Sequence, residues 1–249
     1  MKNHKEQSPK KHVIIISMIT ALALIGDSML YIALPVFWRE AGLDSIWQVG
    51  VILSINRFVR IPLHPMIGYL YQKISIKTGL TIAVILGAVT TCGYGLAQDF
   101  TTWIILRCLW GLSWSLFRIG GLSSVVILSD DLNRGKLMGM YNGLYRLGSL
   151  FGMLLGGIFV SILGFSAISI IFGLISAIGL PMILTAKIDR DKQSLVTKNK
   201  TLHVPIRQLL KLRLTILVLI SGLFVSLMFQ GIFASILSAV TEYHYGMEM

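Results

Sequence analysis

Residues 137–162 read LMGMYNGLYRLGSLFGMLLGGIFVSI. Only Asn142, Arg146, Ser149 and Ser161 interrupt the apolar, small and aromatic side chains of this run. A hydrocarbon layer about 30 Å thick needs about 20 such residues per helix, so the run is long enough to cross. The strict apolar–polar alternation of a membrane β-strand is missing, and the run is predicted to be a spanning α-helix. Gly148, Gly152 and Gly156 recur every four residues and line one stripe, where another helix backbone can approach closely. Gly135, Gly139 and Gly143 are predicted to do the same at the start of the helix.

The same reading repeats on either side. Further runs lie near 13–38, 46–71, 79–98, 102–128, 165–186 and 214–240, separated by turn or charge signals. The predicted fold is all-α and polytopic: a six-helix bundle over 1–186, a basic linker over 187–213, and over 214–249 a seventh transmembrane helix opening a further bundle. The run 13–38 follows Lys2, Lys5, Lys10 and Lys11 and contains Ala21-Leu22-Ala23, the pattern of a cleaved signal. It stays apolar as far as Trp38, however, and is read as an uncleaved first span.

With 55% hydrophobic and 13% charged residues, the chain has too little polar surface to cover a water-soluble globule, and lipid is the expected covering. Its net charge of +11 does not point to nucleic acid, because the basic residues fall in short loops rather than on one soluble face. Cys92 and Cys108 sit inside apolar runs, unlike a disulfide framework or zinc site, and are read as packing residues. No phosphate-binding Gly-Lys-Ser/Thr loop, serine elbow or His-Glu-x-x-His helix occurs, so no cofactor, metal or catalytic group is expected.

Loop lysines and arginines gather on the cytoplasmic side of a membrane protein. With the N-terminus inside, the inner segments hold sixteen and the outer segments only Arg39. This predicts a cytoplasmic N-terminus, an outer C-terminus for this chain, and the cell membrane as its location. Trp38, Trp47 and Trp103 then fall at the outer boundary, where indole rings favour the headgroups.

Five arginines and one aspartate lie within the predicted spans, where each charge costs about 2.5–3.5 kcal/mol on insertion scales. Helical spacing puts Arg57, Arg60, His64 and Gly68 on one face of the second span, and Arg107, Gly111, Ser115 and Arg118 on one face of the fourth. Asn142, Arg146 and Ser149 share a face of the fifth, and Thr20, Asp27 and Tyr31 a face of the first. Asp27 and Arg57 each lie about 15 Å from the outer end of their span, which predicts an ion pair between antiparallel neighbours. Arg118 and Arg146, near mid-depth, then have no acid left in the spans and are read as facing a cavity. Arg107 either faces that cavity or snorkels to the nearby surface. His64, between Pro62 and Pro65, either relays protons or bonds backbone freed by the prolines.

Three stretches in register with this topology resemble motifs of the major facilitator superfamily. Between spans two and three, Gly68-Tyr69-Leu70-Tyr71-Gln72-Lys73-Ile74-Ser75-Ile76-Lys77 keeps the glycine and two cations of the family's Gly-x-x-x-Asp-Arg-x-Gly-Arg-Arg/Lys pattern. Gln72 replaces its acid and Ser75 its second glycine. Arg107-Cys108-Leu109-Trp110-Gly111 matches the span-four Arg-x-x-x-Gly. Gly148-Ser149-Leu150-Phe151-Gly152-Met153-Leu154-Leu155-Gly156-Gly157 resembles the antiporter pattern Gly-x-x-x-Gly-Pro-x-x-Gly-Gly, with Met153 for the proline.

The resemblance implies the N-terminal half, plus one further helix, of a secondary transporter that moves a small solute by alternating access, coupled to an ion gradient. Its cavity would be lined by spans one, two, four and five. The arginines left over after Asp27 favour an organic anion; a drug-like efflux substrate is the other class. A seven-helix receptor or sensor is the alternative function. That class usually has its N-terminus outside, and a retinal protein needs a lysine in its last helix, where residues 214–240 have none.

Overall fold

A computed structural model describes residues 9–186 together with Ile216, Leu217, Ile220, Ser221 and Phe224. The chain divides into two compact units, Met1–Thr197 and Lys198–Met249. Among the described residues every regular element is an α-helix: α1 (Pro9–Val36), α2 (Ile46–Lys73), α3 (Ile76–Tyr94), α4 (Phe100–Leu128), α5 (Arg134–Leu163), α6 (Phe165–Ala177) and α7 (Gly179–Thr185). The predicted span 214–240 lies outside the described residues except for the five named above, which are helical.

Helices α6 and α7 are the two parts of one span, Phe165–Thr185. Pro181 has no N–H to give Ala177, and its ring crowds that carbonyl, so the helix breaks just there. The amide of Ile178 instead bonds the carbonyls of Ile175 and Ser176 in a tighter turn. This span and α1, α3, α4 and α5 are long and apolar enough to cross a membrane. Helix α2 matches them in length, but Asn56, Arg57, Arg60 and His64 make it more polar. It runs unbroken through Pro62 and Pro65.

Polar side chains start the helices. Ser75 Oγ accepts from the Thr78 amide at 3.0 Å to cap α3, and Asp99 Oδ1 accepts from the Thr102 amide at 2.9 Å to cap α4, each satisfying an amide with no partner inside its helix.

Helix α1 is the most buried span and runs parallel to α5 along its length. A Cβ added at Gly148 or Gly152 would strike the backbone of Ala21 or Ile25, and one at Gly156 would strike Met29. The expected close approach along that stripe is present. Among the described residues the expectation fails for Gly135, Gly139 and Gly143, where an added Cβ would meet nothing within 4 Å. From Gly143 to Gly148 is five residues, about 140° of rotation at 3.6 residues per turn, so the two stripes face different ways.

Helix α2 packs on α4, and α3 packs on both α4 and α6. The Tyr71 hydroxyl donates to the Leu116 carbonyl at 2.9 Å, in room left by Gly79 and Gly120. Trp103, expected among the headgroups, is instead fully buried. Its Nε1 donates to the Ala41 carbonyl at 2.9 Å and its ring stacks on Tyr94 at 5.2 Å, fixing the α1–α2 loop. Trp47 is exposed and Trp38 half-buried, as surface anchors would be.

Candidate functional site

Two groups of polar side chains lie within the helices, and each is built around arginine. The first is sealed. Arg107 on α4 and Asp27 on α1 are both buried and form an ion pair through Nη1 and Oδ1. Arg107 Nε donates to the Ile52 carbonyl of α2 at 3.1 Å, and Nη1 also donates to the Tyr94 hydroxyl of α3 at 3.3 Å. One side chain thus ties together four helices. Gly111, one turn further along α4, lets α2 approach: a Cβ there would meet the Asn56 carbonyl at 3.3 Å.

This corrects one expectation, and of the two readings left open for Arg107 it excludes one. The ion-pair partner of Asp27 is Arg107, where the sequence reading put Arg57. Sequence-adjacent α1 and α2 share only a small interface, and Arg57 is exposed, with its guanidinium 5.8 Å from the centre of the Tyr31 ring. Nor does Arg107 snorkel, since no part of it reaches the surface.

The second group is a wall formed by α2, α4 and α5. Arg118 Nη1 donates to Asn142 Oδ1 and to the Tyr145 hydroxyl, both at 2.9 Å. Asn142 Nδ2 donates to the Met138 carbonyl at 3.0 Å, which turns its oxygen toward Arg118 and makes it a positioning residue. The Arg118 guanidinium also lies 5.7 Å from the centre of the Tyr145 ring. Tyr145 meets Trp114 edge to face at 5.7 Å, and the Arg60 guanidinium lies 5.3 Å from the Trp114 ring centre. A continuous line therefore runs Arg60, Trp114, Tyr145, Arg118, Asn142. Among the described residues Arg60 has no ion-pair partner and Arg118 has only neutral ones.

His64 stands where the charges of Arg60 and Arg118 both act on it. Its Nε2 is buried with no hydrogen-bond partner among the described residues, so that nitrogen does not bond backbone freed by the prolines. The predicted face of α5 divides three ways. Asn142 turns to α4, Ser149 bonds Ser28 of α1 at 2.6 Å, and Arg146 is exposed beside Leu147 and Leu150.

The remaining motif residues are structural. Lys77 Nζ donates to the Leu184 carbonyl at 2.8 Å, closing the end of α7 with a cation. Lys73 lies over the Tyr69 ring at 4.7 Å. Among the described residues a Cβ at Gly68 would meet nothing within 4 Å, and one at Gly157 would touch the Ile32 side chain at 3.2 Å. Trp114, Tyr145 and Tyr94 are candidate-site residues that the sequence did not single out. Trp114 precedes Arg118 by four residues and Tyr145 follows Asn142 by three, so helical spacing put both beside residues already singled out. Tyr94 carried no such signal.

Long apolar helices with arginines held at mid-span define a polytopic α-helical membrane protein. The chain belongs to the Major Facilitator Superfamily, whose family pattern matches residues 16–249. An uncharacterized MFS-type transporter of Yersinia pestis (strain Pestoides F) is 29% identical over 137 residues, 55% of this chain and 36% of that protein. The uncharacterized MFS-type transporter YcaD of Escherichia coli O139:H28 is 25% identical over 193 residues, 75% of this chain and 50% of YcaD. The chain spans between about a third and half of the length of these curated relatives. Membership places the chain in a family of membrane transporters.

Proposed function

We propose that this bundle is one wall of the solute path in a secondary transporter working by alternating access, and that the solute is a small organic anion. One observation carries the reading. Among the described residues Arg118 holds a half-buried charge bonded only to neutral groups and Arg60 makes no direct ion pair, while Asp27, the one acid within the described helices, whose charge also acts on Arg60, is paired with Arg107. Unpaired cations are costly in a membrane interior, and a guanidinium fork suits carboxylate or phosphate. A cationic solute would meet repulsion on the same wall. In transporters of this kind the solute path lies between pseudo-symmetric halves, and this bundle would be one of them. The loop charges support a cell-membrane protein with its basic end in the cytoplasm, and the Gly148–Gly157 pattern supports exchange of the solute against an ion gradient.

The test is vesicle transport of charge-matched anionic, neutral and cationic solutes by the protein expressed from its full reading frame. Anions are expected to be preferred, and Arg118→Gln or Arg60→Gln to slow them at least about tenfold, the loss of one charge-assisted contact. Preferred transport of cationic dyes, unchanged by both replacements, would overturn the reading. Orientation is tested with single cysteines at Lys192 and Asp99 in a chain lacking Cys92 and Cys108. They should label from opposite sides, Asp99 from outside, and equal labelling from outside would contradict the topology.

A further inference from the structure

We infer that the solute bound by the α2–α4–α5 wall is an aromatic acid, with its carboxylate on the wall arginines and its ring against the half-buried Trp114, whose ring the buried Tyr145 supports edge to face. The inference rests on the anion reading above and adds the ring to it.

Tryptophan and tyrosine in membrane proteins gather at the headgroup boundary, but these two do not. Trp114 is at the midpoint of α4, about 21 Å from either end, and Tyr145 is about 16 Å from the start of α5. Anchoring at an interface therefore does not account for them. Tyr145 is buried in the core of the bundle, whereas Trp114 packs against that core and is only half-buried among the described residues.

What surrounds the pair is more specific. Arg60 lies over the Trp114 ring at 5.3 Å, and its Nε is buried without a partner among the described residues. Stacking on an aromatic face orients a guanidinium plane and leaves its in-plane N–H groups for an acceptor. On the other side Arg118 is fixed by Asn142 and Tyr145 at 2.9 Å each. Two oriented cations therefore flank an edge-to-face aromatic pair whose centres are 5.7 Å apart, and His64 lies within the field of both.

A planar acid uses all of these groups at once. Its carboxylate accepts from the guanidinium groups, and its ring continues the aromatic contact in an offset or edge-to-face arrangement. A saturated acid of the same size uses the charges alone. An aromatic cation uses the rings alone and is repelled by the arginines.

The experiment is titration calorimetry on the full chain in lipid nanodiscs with benzoate, cyclohexanecarboxylate and benzyltrimethylammonium as probes. Benzoate should bind about fivefold more tightly than cyclohexanecarboxylate, the scale of one aromatic pair beyond area burial. Trp114→Leu should remove that preference, weakening benzoate more than cyclohexanecarboxylate. Trp114→Phe, which keeps a ring, should retain it and guards against a folding defect. Arg118→Gln should weaken both acids alike, about tenfold or more. Equal affinity for the two acids in the unmodified chain overturns the aromatic inference and leaves the anion reading standing. Tighter binding of benzyltrimethylammonium overturns both, and failure of all three probes to bind the folded chain overturns the site.

Discussion

Arg107 and Arg118 stand on the same helix, three turns apart, and differ in what surrounds the charge. Arg107 is sealed, with an acid, a tyrosine and a carbonyl from three other helices on its guanidinium. Arg118 is half-buried and bonded to an amide and a phenol, both neutral, on one neighbouring helix. A buried charge whose partner is supplied by the fold is part of the fold. A charge that is oriented by neutral groups, yet not neutralised among the described residues, is prepared for something that arrives. The presence of arginine within a span does not separate these roles, and the partners do.

The largest expected effect breaks the sealed pair. Removing one member of a buried pair costs about 3–5 kcal/mol, because the other is left uncompensated. Arg107→Leu and Asp27→Asn should each lower unfolding stability in detergent by that amount. The double replacement Asp27→Leu with Arg107→Met should recover much of the loss. Strict additivity in this cycle would count against the contact. Arg118→Gln, measured the same way, should cost less than that, about 1–2 kcal/mol, because the hydrogen bonds of a charged donor are lost but no buried counter-charge is left behind, while slowing anion transport at least about tenfold. Equal destabilisation by Arg107→Gln and Arg118→Gln would erase the contrast.

A second contrast lies along α5, between its closed and open glycines. Gly152→Val should cost about 1–3 kcal/mol by forcing α1 and α5 apart, since even a Cβ there strikes the Ile25 backbone. Gly139→Ala should change stability by less than about 1 kcal/mol. Matched losses in the same unfolding assay would mean that the second stripe is packed as well.

The spans were legible because bilayer thickness dictates their length and an apolar run has one structural solution in lipid. A close neighbour for α5 was legible through Gly148, Gly152 and Gly156, where every fourth residue lacks a side chain, but that the neighbour is α1 was not. Nor was the partner of Asp27. Depth along a helix can be counted from sequence, but which helices touch is set by tertiary packing, and adjacency in the chain pointed to α2 where the structure has α4 supplying the cation. Arg107 was ambiguous for the same reason: its distance from a helix end allowed snorkelling, and only the burial of its face excludes it. The arginines of the wall were readable as costly charges, whereas Trp114 and Tyr145 were hidden among the many other aromatics of an apolar chain.

A smaller effect separates orientation from charge at the wall. Asn142→Ala leaves Arg118 in place but removes the oxygen that aims it. Anion affinity should fall severalfold, less than for Arg118→Gln, with thermal stability nearly unchanged. Restoration by Asn142→Gln would confirm a role in positioning. A loss as large as that of Arg118→Gln, with no rescue, would make Asn142 a direct contact instead.

The smallest effect belongs to a third kind of charge, the exposed cap of α4, and it calibrates the other two. Asp99 accepts from Thr102 Oγ1 at 2.5 Å and from the Thr102 amide at 2.9 Å, and these bonds, the hydroxyl's foremost, hold its carboxyl below the usual carboxylate range. Hydrogen bonds to the charged form have that sign. A carboxyl with a lowered folded pKa adds stability that is complete above its unfolded value, about 4, and lost as pH falls through the folded value. Thermal unfolding between about pH 5 and pH 3 should therefore show a small loss in the unmodified chain that Asp99→Asn lacks, because an amide still caps but does not titrate. The difference should persist when Arg118 is replaced by glutamine, since the wall arginine takes no part in the cap. If the two unfolding profiles run parallel, the charge of Asp99 adds nothing beyond its oxygen. The cap would then act through geometry alone, as Asn142 does beside Arg118.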